Sequence, residues 1–489
     1  MSVLVVRVWK FMHTMVEQIQ AHWQILRNNY LPNFTRQIQT RRQNKYQPMC
    51  VSRIATWIVT RPKKPHINLL PNELLVYILE FVIKRSYSDS YPGTQRTFWR
   101  LLNVCRYWND IVTNTPSLWS TVNFSWSVSF VKAHVKRSGG HLLNVEIVNV
   151  IRPRDGSLRT YFDLIVASAP RWHSLLFYNL APASSSVLQC IYGLRFPSLK
   201  YVSMTPIAKI RGRHTRVRYP RFLCGNSPCL RTLSLFFIDG WDDPQVPPGL
   251  VSLELGFLNR PASPASSSLL TSSSLQKLKV LSLIGNISAW TLLPNSIHLP
   301  SLEKLGLSVD TNAGSFLRAL VIPRLKHIRL GPPDTLGLHP DDISELRSKF
   351  SNIQSLHLNY WWGMYNMWAG QFRREDTKVM YKVFPGIRHV KMWYQCTYRM
   401  FFWEDGSCIA DRWDHLEGLT FEGPIAANTN VPEDFIFWLK QRNNVGKPRM
   451  QVELEVVHRF QGMKNHEYQW LNNIHELLGA YTDLKFIDC

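Results

Sequence analysis

No stretch of this 489-residue chain is both long enough and free enough of charge to span a membrane. The apolar opening VLVVRVWKFM is no secretory leader either, because Arg7 and Lys10 interrupt it well short of a signal's hydrophobic core. Cysteine is sparse: eight residues are scattered through the chain, a usage expected of reduced thiols inside a cell. The nearest two, Cys224 and Cys229, flank GNSP, and no second pair or suitably spaced histidines follow to complete a zinc site. No metal or other cofactor is therefore expected. The chain also lacks a glycine-rich phosphate loop, a His-Glu-x-x-His helix, a Gly-x-Ser-x-Gly elbow and the kinase motif set. Catalysis is not expected of it.

Acid is nearly missing from residues 1–65, where Glu17 stands against eleven lysines and arginines. That segment supplies ten of the formal 23 net positive charges. Such a leader reads as a nucleic-acid arm, a transit peptide or an unfolded extension, and its composition favours the last. The remainder is not poor in apolar residues. With 45% hydrophobic residues overall, a chain of this length can bury a sizeable core.

Two short helical patterns follow the leader. In INLLPNELLVYILEFVI, Leu74, Leu75, Ile78, Leu79 and Val82 recur at helical spacing, and Pro71 stands where a first turn tolerates it. The polar stretch KRSYSDSYPGTQ breaks the pattern, with Tyr91-Pro92-Gly93 as its turn signal. Leu101, Val104, Cys105, Trp108, Ile111 and Val112 then form one continuous helical stripe, ahead of a TPSLW turn ending at Trp119. About 50 residues of helix and turn are too few to hide two wide apolar faces unaided. One face needs a partner, either the rest of this chain or another protein.

In order and type, Leu70-Pro71-x-Glu73-Leu74, Ile78, Phe81, Val104-Cys105-Arg106-x-Trp108 and Pro116-x-Leu118-Trp119 resemble the F-box motif. The insert from Lys84 to Phe98, longer than in compact F-boxes, resembles those of the large fungal F-box families, as do SVSFVKAHVKRSGGHLLNVEIV and YFDLIVASAPRWHSLLFYNL downstream. The resemblance implies a box, residues 66–124, that binds the Skp adaptor of a Skp-cullin-F-box ubiquitin ligase and through it a cullin. It assigns Leu70, Pro71, Leu74, Ile78, Val104, Cys105, Trp108 and Trp119 to the adaptor-facing surface or the box core, without separating the two. It also implies that the chain works in the cytoplasm, the nucleus or both.

From residue 172 onward an apolar residue recurs with a second three positions later and a third two beyond that. Ten such matches run from Trp172/Leu175/Phe177 to Leu416/Leu419/Phe421, with starts 20 to 34 residues apart. Each predicts a short strand, and stretches such as DDISELRSKF and TKVMYKVF predict helices between strands. One unit cannot cover its own apolar face, so neighbours must stack. The expected fold is α/β: a small helical box, then an irregular leucine-rich-repeat-like solenoid over residues 125–489 that holds a protein substrate. VPEDFIFWLKQR, QVELEVV, EYQWLNNIHELLGAY and DLKFID read as its continuation and cap. RPASPASSSLLTSSS, built from small residues and proline, reads as a loop projecting between strands.

Two clusters point to recognition. NYWWGMYNMWAGQF holds Trp361, Trp362, Tyr365 and Trp368 after a predicted strand. Such aromatics serve as a binding hot spot when exposed and as core when buried. RGRHTRVRYPR carries Arg211, Arg213, Arg216, Arg218 and Arg221. It reads as a solvated or internally paired surface, with Asp239, Asp242 and Asp243 to neutralise it, or as a patch for an acidic partner; nucleic acid is the least favoured occupant. A non-ligase repeat scaffold and a nucleic-acid-binding protein acting through the basic segments remain the rival functions.

Overall fold

The structure is a computed structural model. It describes residues 70–488 apart from 90, 149–157, 181–189, 207–216, 219–225, 237, 240–245, 258–261, 263, 310–312, 332–341, 359–373, 394–407, 423–432 and 457–474. Every described helix and strand belongs to the unit Asn72–Cys489, and the basic extension at residues 1–65 lies outside the described residues.

Three helices open that unit: α1 (Asn72–Asp89), α2 (Tyr91–Leu102) and α3 (Arg106–Asn114). They differ from the sequence expectation in two places. The turn expected at Tyr91-Pro92-Gly93 is the first turn of α2, where Pro92 is tolerated because the N–H it lacks would have no intrahelical partner there. The stripe expected to be continuous from Leu101 to Val112 is divided between α2 and α3, because Cys105 is extended at φ −162°, ψ 170°. Asparagine side chains satisfy the carbonyls that the break frees: Asn103 Nδ2 donates to Trp99 O at 2.7 Å and Asn109 Nδ2 to Leu102 O at 2.9 Å.

The rest is a mixed helix and strand structure dominated by one fourteen-stranded sheet. Its strands are β1 (Thr121–Asn123), β2 (Leu143–Val148), β3 (Trp172–Leu180), β4 (Tyr201–Pro206), β5 (Thr232–Phe236), β6 (Ser252–Phe257) and β7 (Val280–Gly285), followed by β8 (Lys304–Val309), β9 (His327–Leu330), β10 (Ser355–Leu358), β11 (His389–Trp393), β12 (Gly418–Glu422), β13 (Met450–Val456) and β14 (Thr482–Asp488). They lie in chain order and every neighbouring pair is parallel.

The register explains the apolar repeat. Leu175, Val202, Leu233, Leu253, Leu281, Leu305, Ile328, Leu356, Val390 and Leu419, the middle residues of the ten matches, pair side by side across β3–β12. Val145 and Val122 extend this row at one end, Val452 and Leu484 at the other. All three apolar positions of every match are buried, none more than 3% exposed. A slip of one residue would turn an entire strand's apolar set outward, so the stacked rows hold the register. Connecting segments cover this face with Trp290, Phe316, Phe350, Phe384 and Trp413; for example, the rings of Phe350 and Phe384 lie 5.8 Å apart.

The serine-rich segment does not loop away as expected. It winds into 3-10 turns at Pro264–Thr271 and Ser273–Leu275, and Ala262, Leu269, Leu270 and Leu275 enter the core. Buried Ser266 accepts a hydrogen bond from Trp290 Nε1 at 2.8 Å. A few leucines anchor the segment, and the small serines let it approach the sheet closely.

Candidate functional site

On α1 the apolar residues divide into two stripes. Leu75, Leu79 and Ile83 recur every fourth residue and are buried; Leu74, Tyr77 and Phe81 lie on the other side and are 52%, 66% and 44% exposed. Polar ties hold the helix in place. Tyr107 on α3 donates to Asn72 Oδ1 at 2.6 Å, and Ser117 in the PSLW turn donates to Glu80 Oε1 at 2.7 Å. Val104, in the break between α2 and α3, is 53% exposed, and Trp99 on α2 is 55% exposed. Few large apolar residues are so exposed among the described residues, and five of them fall within residues 74–104.

Beneath them lies an aromatic cluster. Trp119 is 1% exposed; its Nε1 donates to Val112 O at 2.6 Å, and its ring centroid lies 5.0 Å from that of Phe98 and 4.8 Å from that of His134. Phe130 and Trp126 complete the group, and the Arg137 guanidinium stacks 4.5 Å over the Trp119 ring. Phe130, His134 and Arg137 belong to α4 (Val128–Arg137), so the core crosses the boundary between residues 124 and 125. Burial pushes the His134 imidazole down to about 3.

The eight residues singled out for the box therefore occupy different environments. Trp108 and Trp119 are core; Leu74 and Val104 are exposed; Ile78 and Cys105 are half-buried; Leu70 and Pro71 immediately precede α1. Of the recognition candidates, Trp361, Trp362, Tyr365, Trp368, Arg211, Arg213, Arg216 and Arg221 lie outside the described residues. Arg218 stands opposite Asp239 in a two-residue parallel pairing of Val217–Arg218 with Ile238–Asp239.

The face of the sheet opposite the apolar rows carries a second feature, one that sequence reading missed. Residues alternating with the buried positions are Lys304 on β8, His327 and Arg329 on β9, His357 on β10, and His389 and Lys391 on β11. Glu422, on β12, is clamped between two of them, its Oε2 2.7 Å from His357 Nε2 and its Oε1 2.7 Å from Lys391 Nζ. Burial works to raise the Glu422 carboxyl, but these two hydrogen bonds outweigh it and hold it at about 2. His327 is pushed down, by burial first and then by Lys304, Lys326 and His389. The cations come from strands more than twenty residues apart, so the sequence shows short basic clusters such as RLKHIR and IRHVK but not the face they share. Polarity at the position between two ladder residues is the signal that places them on one face.

Residues 67–125 match the F-box-like family model. The chain thus carries an F-box-like domain, formed by α1–α3, the PSLW turn and β1, and the match ends two residues beyond that first strand. No curated protein matches the chain. Among the described residues, no helix is long and apolar enough to cross a membrane.

Proposed function

We propose that this protein is the non-catalytic substrate-recognition subunit of a Skp-cullin-F-box ubiquitin ligase, working in the cytoplasm, the nucleus or both. The observation that carries the reading is the coincidence of the F-box-like match with the exposed apolar stripe Leu74, Tyr77 and Phe81 and the nearby Val104. In this reading those side chains meet the Skp adaptor, Ile78 and Cys105 border the contact, Leu70 and Pro71 flank it, and Trp108 and Trp119 hold its shape from beneath. The sheet is read as a leucine-rich-repeat-like solenoid of the fungal F-box type that holds a protein substrate. Its strictly sequential parallel strands and stacked apolar rows support that reading. The aromatic cluster at 361–368 and the arginine run at 211–218 stay as candidate substrate contacts.

The test is recovery of a recombinant Skp adaptor on the immobilised chain. The double variant Leu74→Glu/Phe81→Glu places two charges on an exposed stripe, so the melting temperature should stay within the small range of surface substitutions. Adaptor affinity should fall by about 2 kcal/mol or more. Undiminished recovery would reject the adaptor assignment. Recovery of adaptor without cullin would favour a non-ligase scaffold.

A further inference from the structure

We infer that the open face of β8–β11 is a docking site for a short, carboxylate-rich extended polypeptide segment. The inference rests on the reading of the sheet as the substrate-holding part of the protein and supplies the substrate chemistry.

The sheet itself shows which group this face takes. Glu422 occupies a seat made by His357 and Lys391, with one carboxylate oxygen 2.7 Å from each. Lys304 and Arg329, two and one strands before His357, are exposed and make no ion pair among the described residues. Along the same face, His327 is lowered by burial first and then by Lys304, Lys326 and His389, against Glu303, while Glu417 Oε2 lies 3.8 Å from His389 Nε2.

Strands spaced about 4.8 Å apart make the β8–β11 patch about 14 Å wide, the reach of about four extended residues. Charge complementarity therefore calls for an acidic segment. The patch is also bounded. Glu254 on β6, held by Ser234 at 2.8 Å, and Glu453 on β13, held by Thr420 at 3.1 Å, present carboxylates on either side. A long polyanion such as RNA crossing the strands would meet both; a short acidic peptide would meet neither.

The experiment uses the full chain and a fluorescein-labelled peptide of six glutamates, read by anisotropy at low salt. Lys304→Ser/Arg329→Ser should weaken binding at least tenfold, with the melting temperature unchanged because both residues are exposed. Lys132→Ser/Lys136→Ser removes the same charge from the exposed side of α4 and should change binding less than twofold. Glu422→Gln, which loosens the resident carboxylate from His357 and Lys391, should tighten binding about threefold. Equal loss in the two double variants, no loss at Lys304 and Arg329, or weaker binding by Glu422→Gln would overturn the site. Tighter binding of a labelled 20-nucleotide RNA, lost in the Lys304/Arg329 variant, would overturn it in favour of nucleic acid. Adaptor recovery measured on the same samples separates failure of this site from failure of the ligase reading.

Discussion

Trp119→Ala should lower the stability of the Asn72–Cys489 unit by about 3–5 kcal/mol and remove adaptor binding along with the fold. The indole is 1% exposed and touches elements from both sides of residue 125: Phe98 on α2, the Val112 carbonyl on α3, and Phe130, His134 and Arg137 on α4. Alanine leaves a cavity the size of an indole, a carbonyl without its donor, and a guanidinium without its ring. Trp119→Phe should cost less, since it keeps the ring contacts and loses mainly the hydrogen bond to Val112. Urea unfolding followed by far-ultraviolet circular dichroism gives the stability. A loss under about 1 kcal/mol would show that the cluster is not the hinge of the core. The contrast with Leu74→Glu/Phe81→Glu is diagnostic, because those charges lie on the exposed stripe and should remove the adaptor while the unit stays folded.

The same division explains what could be read from sequence. Ten strands were legible because each has an apolar residue just before the strand, or at its start in the case of Trp172, and two more on its buried side, as Leu278, Leu281 and Leu283 do. QVELEVV and DLKFID, read as a continuation, are β13 and β14 and extend the same row. The stacking of β1 was not legible, because TVN is only three residues long. The break at Cys105 was hidden because Leu101, Val104, Cys105 and Trp108 have faultless helical spacing. Only the backbone shows that Val104 faces solvent while Leu101 and Trp108 face the core. The motif marked the box but could not separate its two surfaces, since Leu74 and Leu75 are alike in chemistry and differ only in which side of α1 they occupy. The basic face of β8–β11 was illegible for a further reason: its charges fall in short clusters such as RLKHIR and IRHVK that only strand pairing gathers into one face.

Acid should weaken the protein through His134 from about pH 6.5 downward. The imidazole is fully buried among Phe98, Trp119, Trp126 and Phe130, and burial lowers it from 6.5 to about 3. In the unfolded chain it takes up a proton near 6.5, and in the folded protein it does not, so below that pH the unfolded state binds more protons. The contribution of the neutral, buried ring is therefore complete above pH 6.5 and declines as pH falls, levelling off near pH 3. Across that whole window the loss is on the order of 4 kcal/mol, and between pH 6.5 and 5 it is about 2 kcal/mol. That upper window precedes the acid release of Glu422, which His357 and Lys391 hold at about 2, so the two effects separate along the pH axis. His327 is also lowered and contributes in the same direction, which makes a variant at His134 the necessary comparison. His134→Gln, neutral at every pH, should have lower stability at pH 7 but a flatter profile from pH 6.5 to 5 in urea unfolding. An unchanged slope would show that His134 does not carry the acid sensitivity. Adaptor recovery should fall in parallel with the folded fraction, because the exposed stripe keeps its affinity in the protein that remains folded, and a steeper fall would show that His134 also shapes the contact.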